Sequence, residues 1–284
     1  MAEPEYRETQ AEERRRLLHS FGYWDLVALG AVAGAGLGLL YGLGHESRGE
    51  ARYVFAGMAI GALCALAAGW IKIRARARER FFKRWAAARQ WHYESSGRPF
   101  EDTLFLQSGD KRKASDFFSG FWPEPGVVLY QHKRIVESDG DEQTTDYLVL
   151  HFALDRPLID LLQISPRSHA IELGEKLFGH HSEIDERIEL ESTELDQHFR
   201  VSGLRGREEG ARRLLTPSAI IRLLEFQRAL PDGKARFEIL GSCVAFSVEK
   251  TLSPKQPQLI DKLLELWRPI AVWLMEEAGK ERPS

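Results

Sequence analysis

Three absences narrow what this chain can be. With two cysteines in 284 residues, Cys64 and Cys243, no disulfide framework is available, and neither thiol has a sequence-visible activating group to make it a nucleophile. A large excess of charge of one sign is also missing: the formal net charge is −3, with 13 Lys and Arg against 9 Asp and Glu over residues 1–84 and 26 against 33 over residues 85–284. An acidic second part has no general attraction for nucleic acid or for anionic headgroups. Catalytic motifs are the third absence. No Gly-x-Ser-x-Gly elbow, phosphate-binding Gly-Lys-Ser/Thr loop or His-Glu-x-x-His helix occurs, and the chain points to no catalytic residue, cofactor or metal.

What the chain does have is two long apolar runs, Tyr23 to Leu43 and Tyr53 to Ile73, each of 21 residues. A helix rises about 1.5 Å per residue, so ~20 apolar residues cross a hydrocarbon layer about 30 Å thick. The expectation is a charged tail over residues 1–20 and a transmembrane helical hairpin over 21–73. A basic helical stalk and linker over 74–98 then leads to a cytoplasmic domain over 99–284. A cleaved signal peptide does not fit, because the start is mixed in charge and the run exceeds the about 7–15 residues of a signal core. Arg14, Arg15 and Arg16 precede the first run, and Lys72, Arg74, Arg76, Arg78, Arg80, Lys83 and Arg84 follow the second. The connection between them holds only Arg48 and Arg52, against Glu46 and Glu50. By the positive-inside rule both termini are cytoplasmic, with the Lys72 to Arg84 cations at the headgroups of the lipid bilayer.

Small residues recur every fourth position within both runs: Gly30, Gly34, Gly38 and Gly42 in the first, Gly57, Gly61, Ala65 and Gly69 in the second. Each row makes one smooth helical face, and helices in lipid associate through the close backbone approach such faces permit. The rows either face each other and close the hairpin, or pair between chains as a glycine zipper that builds a homo-oligomeric pore or platform. No charge lies mid-span, which argues against an ion path through these helices.

The remainder reads as α+β. Val127 to Val136 and Thr145 to Leu154, rich in β-branched and aromatic residues, flank Ser138-Asp139-Gly140-Asp141 and predict a β-hairpin. A second hairpin is expected from Ala235 to Leu240 and Cys243 to Glu249 across Gly241-Ser242, with short strands at Leu158 to Ile164, Arg187 to Leu190 and Phe199 to Ser202. Thr216-Pro217 caps a helix bearing Ile220, Ile221, Leu223, Leu224 and Leu230; a last helix from Pro257 to Ala278 is interrupted by Pro269. Hairpins mixed with separate helices, without strand–helix alternation, give this class.

Few side chains invite chemistry. His180-His181, with Glu183 and Asp185, is the best metal candidate, but adjacent histidines on a strand point to opposite faces and no second pair accompanies them. His151 alternates with apolar neighbours and reads as a satisfied interior side chain. Seven carboxylates between Glu183 and Asp196 read as a solvated face that is also suited to a basic protein partner.

The stretch Glu194-Leu195-Asp196-Gln197-His198-Phe199-Arg200-Val201, then Arg212-Arg213-Leu214-Leu215-Thr216-Pro217, together with the Val127 to Leu154 hairpin, resembles a family of uncharacterised bacterial membrane proteins. Leu195 stands where such relatives often have Phe. The resemblance implies two N-terminal spans in the bacterial inner membrane and a cytoplasmic domain of unknown function, and it carries no activity to any residue. The function expected is a membrane-anchored binding or scaffold module without catalysis. The alternatives are the glycine-zipper assembly and an enzyme whose site is dispersed around His151 or His180.

Overall fold

The computed structural model describes residues 11, 12, 15, 27, 28, 30–37, 40, 50–120, 126–138, 141–167, 186–190, 192–230 and 234–280. It divides into two units, Met1–Trp85 and Ala86–Ser284.

In the first unit α1 (Glu50–Ala87) runs 38 residues without a break. Among the described residues, Val54–Ala87 is the helix long and apolar enough to cross a membrane. Its flanks leave Phe55, Ile60, Leu63 and Ile71 more than 60% exposed. Its buried face carries Ala65, Gly69, Ile73 and Ala77 at intervals of four, and Val27 packs on Ile73. Residues 30–37 are helical. A Cβ added at Gly34 would lie 2.0 Å from the Gly57 carbonyl oxygen, and one added at Gly61 would lie 2.0 Å from that of Gly30. Only the missing side chains permit this approach. Gly38, Gly42 and eight other residues of the first predicted span lie outside the described residues.

The second unit is built on a nine-stranded sheet in which all neighbours are antiparallel. In chain order the strands are β1 (His92–Ser96), β2 (Lys111–Gly120), β3 (Val127–Ser138), β4 (Asp141–Ala153), β5 (Ile159–Pro166), β6 (Glu186–Arg187), β7 (Phe199–Gly203), β8 (Ala235–Gly241) and β9 (Cys243–Val248). Across the sheet they lie β1-β2-β3-β4-β9-β8-β5-β7-β6. The helices are α2 (Leu104–Gln107), α3 (Thr193–His198), α4 (Glu208–Leu214), α5 (Pro217–Ala229) and α6 (Gln258–Gly279).

The β3–β4 hairpin pairs Ser138 with Asp141, and β8–β9 pairs Leu240 with Cys243 around Gly241 at φ +62°. The linker expected up to residue 98 is corrected here. His92–Ser96 is a strand, paired with β2 through partners such as Tyr93 and Phe118, and Tyr93 Oη donates to Asp116 at 2.6 Å. Asp116 itself sits at φ +53° where the β2–β3 register shifts by one residue, a bulge that an aspartate tolerates better than most side chains.

Alternation along the strands gives the sheet two unlike faces. On one, Phe246 packs edge-on to Phe152 and Phe237, and Trp267 of α6 stacks with Phe226 of α5 at 6.2 Å. Leu162, Ile164 and Ile239 meet Leu223, Ile270 and Leu274 there. Thr216 caps α5 by accepting from the Ala219 amide, and α6 continues through Pro269 where an interruption was expected. The buried stripe Ile260, Leu263, Leu264, Trp267, Ile270, Ala271 and Leu274 holds both halves of α6 on the sheet, outweighing the one backbone bond that proline removes. Ile221, expected in the α5 stripe, is 55% exposed.

On the other face Tyr130, Tyr147, Val149 and Ala245 are covered by Phe105 and Leu106 of α2. Back on the first face, buried Gln131, paired with Leu148, donates to the carbonyls of Tyr147 and Lys250 and accepts from the Leu252 amide at 2.5 Å, fastening the chain that leaves β9 to the middle of β3.

Candidate functional site

Beside α2, on the face without α5 and α6, lies a cleft of about 260 Å³. Its floor comes from strands distant in sequence: Arg134 from β3, Arg236 and Glu238 from β8, Gln163 from β5, and Arg200 and Ser202 from β7. Pairing of Glu238 with Gln163, and of Gln163 with Ser202, aligns these polar positions on one face.

Glu238 is 3% exposed, and both carboxylate oxygens are engaged. One accepts from the Phe105 amide at 2.8 Å and the other from Gln163 Nε2 at 2.7 Å, so this carboxylate clamps α2 onto the sheet. The arginines are provided for less well. The Nε atoms of Arg134 and Arg236 are buried without a hydrogen-bond partner among the described residues. The Arg236 guanidinium carbon lies 5.5 Å from the Phe105 ring centroid. A guanidinium stays charged throughout the physiological range, so the cleft presents fixed positive charge and forked donors suited to a carboxylate or phosphate.

Two histidines occupy the same face. His132 is fully buried, and neither ring nitrogen has a partner among the described residues. Burial, reinforced by Arg112 and Arg134, pushes its pKa down to about 4, so the ring is neutral at pH 7. Nearer the β8–β9 turn, Asp102, His151 and Cys243 bring their donor atoms within 4.8 Å of one another. Burial lowers the His151 pKa, opposed by the Asp102 carboxylate. Burial and the same carboxylate raise the Cys243 thiol, which leaves it a poor nucleophile.

Of the side chains singled out from sequence, Gly30, Gly34, Gly57, Gly61 and Ala65 come together in the first unit. Lys72, Arg74, Arg76, Lys83 and Arg84 are exposed along α1, whereas Arg78 and Arg80 are half-buried. Arg74 and Arg78 lie over the Trp70 and Phe82 rings at 5.3 and 5.2 Å. His180, His181, Glu183 and Asp185 lie outside the described residues. Leu195, Phe199 and Val201 of the resemblance motif are all at least 99% buried. Sequence reasoning missed the cleft. The available signal was Arg236-Phe237-Glu238 in a hairpin strand, where two charged residues alternate with an apolar one.

No family model matches this chain, and neither does any curated protein. A solved structure similar to it is the crystal structure of the mycobacterial trehalose monomycolate transport factor A, TtfA, at 13% sequence identity and a TM-score of 0.46, covering 72% of this chain and 98% of that one.

Proposed function

We propose that this chain is a membrane-anchored binding module: an α+β domain on the cytoplasmic side of the bacterial inner membrane, held by an N-terminal transmembrane hairpin, that docks an anionic ligand or protein partner in the arginine-lined cleft without turning it over. The observation that carries this reading is the pair of guanidiniums, Arg134 and Arg236, whose buried Nε donors have no acceptor among the described residues, beside a carboxylate already fully engaged. A ligand carboxylate or phosphate supplies what these donors lack, at about 1.5–3 kcal/mol per charged hydrogen bond.

Support for the anchor comes from the exposed apolar flanks of α1 and the cations that follow them. Support for closure of the hairpin within one chain comes from Gly34 against Gly57 and Gly61 against Gly30, which occupies the small-residue faces that a glycine zipper between chains needs.

Calorimetric titration of the full chain in detergent with inorganic phosphate and with citrate tests the site. Saturable binding of either anion is expected, weakened about tenfold or more by Arg134→Gln and by Arg236→Gln. Equal binding by the double variant would sink the reading. A reporter fused after residue 284 tests the topology, and a periplasmic signal overturns it.

A further inference from the structure

We propose that Asp102, His151 and Cys243 form a Zn²⁺ site with three protein ligands and one open coordination position. The fold brings the three together independently of the arginine cleft. The β4–β9 ladder pairs His151 with Ala245 and Ala153 with Cys243, so His151 and Cys243 are diagonal neighbours on one face of the sheet. Asp102 arrives from the segment just before α2, and that segment is fixed over the histidine by Phe100, whose ring stacks on His151 at 4.2 Å between centroids.

Three features single out this cluster. Its donor atoms lie within 4.8 Å of one another, whereas ligands at about 2.0–2.3 Å from a tetrahedral Zn²⁺ stand about 3.3–3.6 Å apart. Small side-chain rotations close that difference. Next, the His151 side chain is 93% buried by area, and its Nε2 lies 3.2 Å from Asp102 Oδ2. That nitrogen therefore points into the cluster, toward the Asp102 carboxylate. Finally, the donor set is one imidazole, one carboxylate and one thiolate, two anionic groups and a neutral one around a common point, and a borderline divalent cation suits it.

Binding moves the Cys243 proton to solvent, so one proton is released as the S–Zn bond forms, with no change of oxidation state. The side chain of Asp102 is 47% exposed, which leaves the ion a route in and leaves the fourth position to water.

The test uses the full chain in detergent, stripped with a chelator and titrated with Co²⁺ as a spectroscopic stand-in. One equivalent is expected to produce tetrahedral visible bands and a thiolate-to-cobalt charge-transfer band in the near ultraviolet, all displaced by Zn²⁺. Cys243→Ser should abolish the charge-transfer band, and Asp102→Asn should weaken Zn²⁺ binding at least about tenfold. Both substitutions are at incompletely buried positions, and circular dichroism checks that each variant is folded. Absence of the charge-transfer band in the wild-type protein, or Zn²⁺ affinity unchanged in Cys243→Ser and Asp102→Asn, overturns the proposal.

Discussion

The two faces of the sheet are made by the same strands and solve opposite problems. In β9, Val244, Phe246 and Val248 belong to the side packed beneath α5 and α6, where aromatic rings fill the space between layers. Cys243, Ala245 and Ser247 alternate with them and belong to the side where α2 covers only part of the surface. The first face is closed and largely apolar, with Gln131 as a hydrogen-bonded exception. The second holds Glu238, His132, His151 and three arginines in and around a cleft, and His132 and the Nε atoms of Arg134 and Arg236 lack hydrogen-bond partners among the described residues. Since an unpartnered buried polar atom costs about 1–3 kcal/mol, the second face is the one where stability is surrendered, and function is found where such costs collect.

Substitutions on opposite sides of one strand break that comparison most sharply. Phe246→Ala should destabilise the protein by about 3–5 kcal/mol in urea unfolding of the full chain in detergent, because it opens a cavity among Phe152, Phe237 and Trp267. A smaller loss should appear on acidification. His132 gains its proton near pH 6.5 when unfolded and only near pH 4 when folded, so its contribution is complete above pH 6.5 and is lost as the pH falls to about 4. That difference amounts to about 3 kcal/mol. In His132→Leu the fall in stability over that window should be shallower by a comparable amount, measured as midpoint against pH. Glu238→Gln should cost about 1–3 kcal/mol, since it weakens the acceptor for both the Phe105 amide and Gln163; hydrogen exchange should show faster opening of α2 in that variant. Ser247→Ala, one residue from Phe246, should be neutral or slightly stabilising, because its buried hydroxyl has no partner among the described residues to lose. A Ser247→Ala cost approaching that of Phe246→Ala would erase the distinction between the faces.

Local grammar made the central hairpins legible. Asp-Gly and Gly-Ser between β-rich runs announced β3–β4 and β8–β9, and Thr-Pro announced α5. Strand β2 escaped notice for two physical reasons. Its first three residues, Lys111, Arg112 and Lys113, are charged, and the bulge at Asp116 shifts the alternation midway. The cleft was harder still. Arg134, Arg200 and Arg236 come from the separate strands β3, β7 and β8, and they line one cleft through a strand order that no local pattern encodes. His151 was legible as an interior residue; its neighbours Asp102 and Cys243 were not, since 49 and 92 positions separate them from it in the chain.

The three backbone contacts of Gln131 make that side chain an alignment key. Were β3 to slide by one position against β4, its amide would turn away from the face under α5 and α6 to the side of Tyr130 and Tyr147, and the Leu252 amide and the Lys250 carbonyl would lose their mate. A mis-threaded hairpin thus cannot receive the polypeptide that runs on to the last helix, and the long central ladder is proofread by one amide.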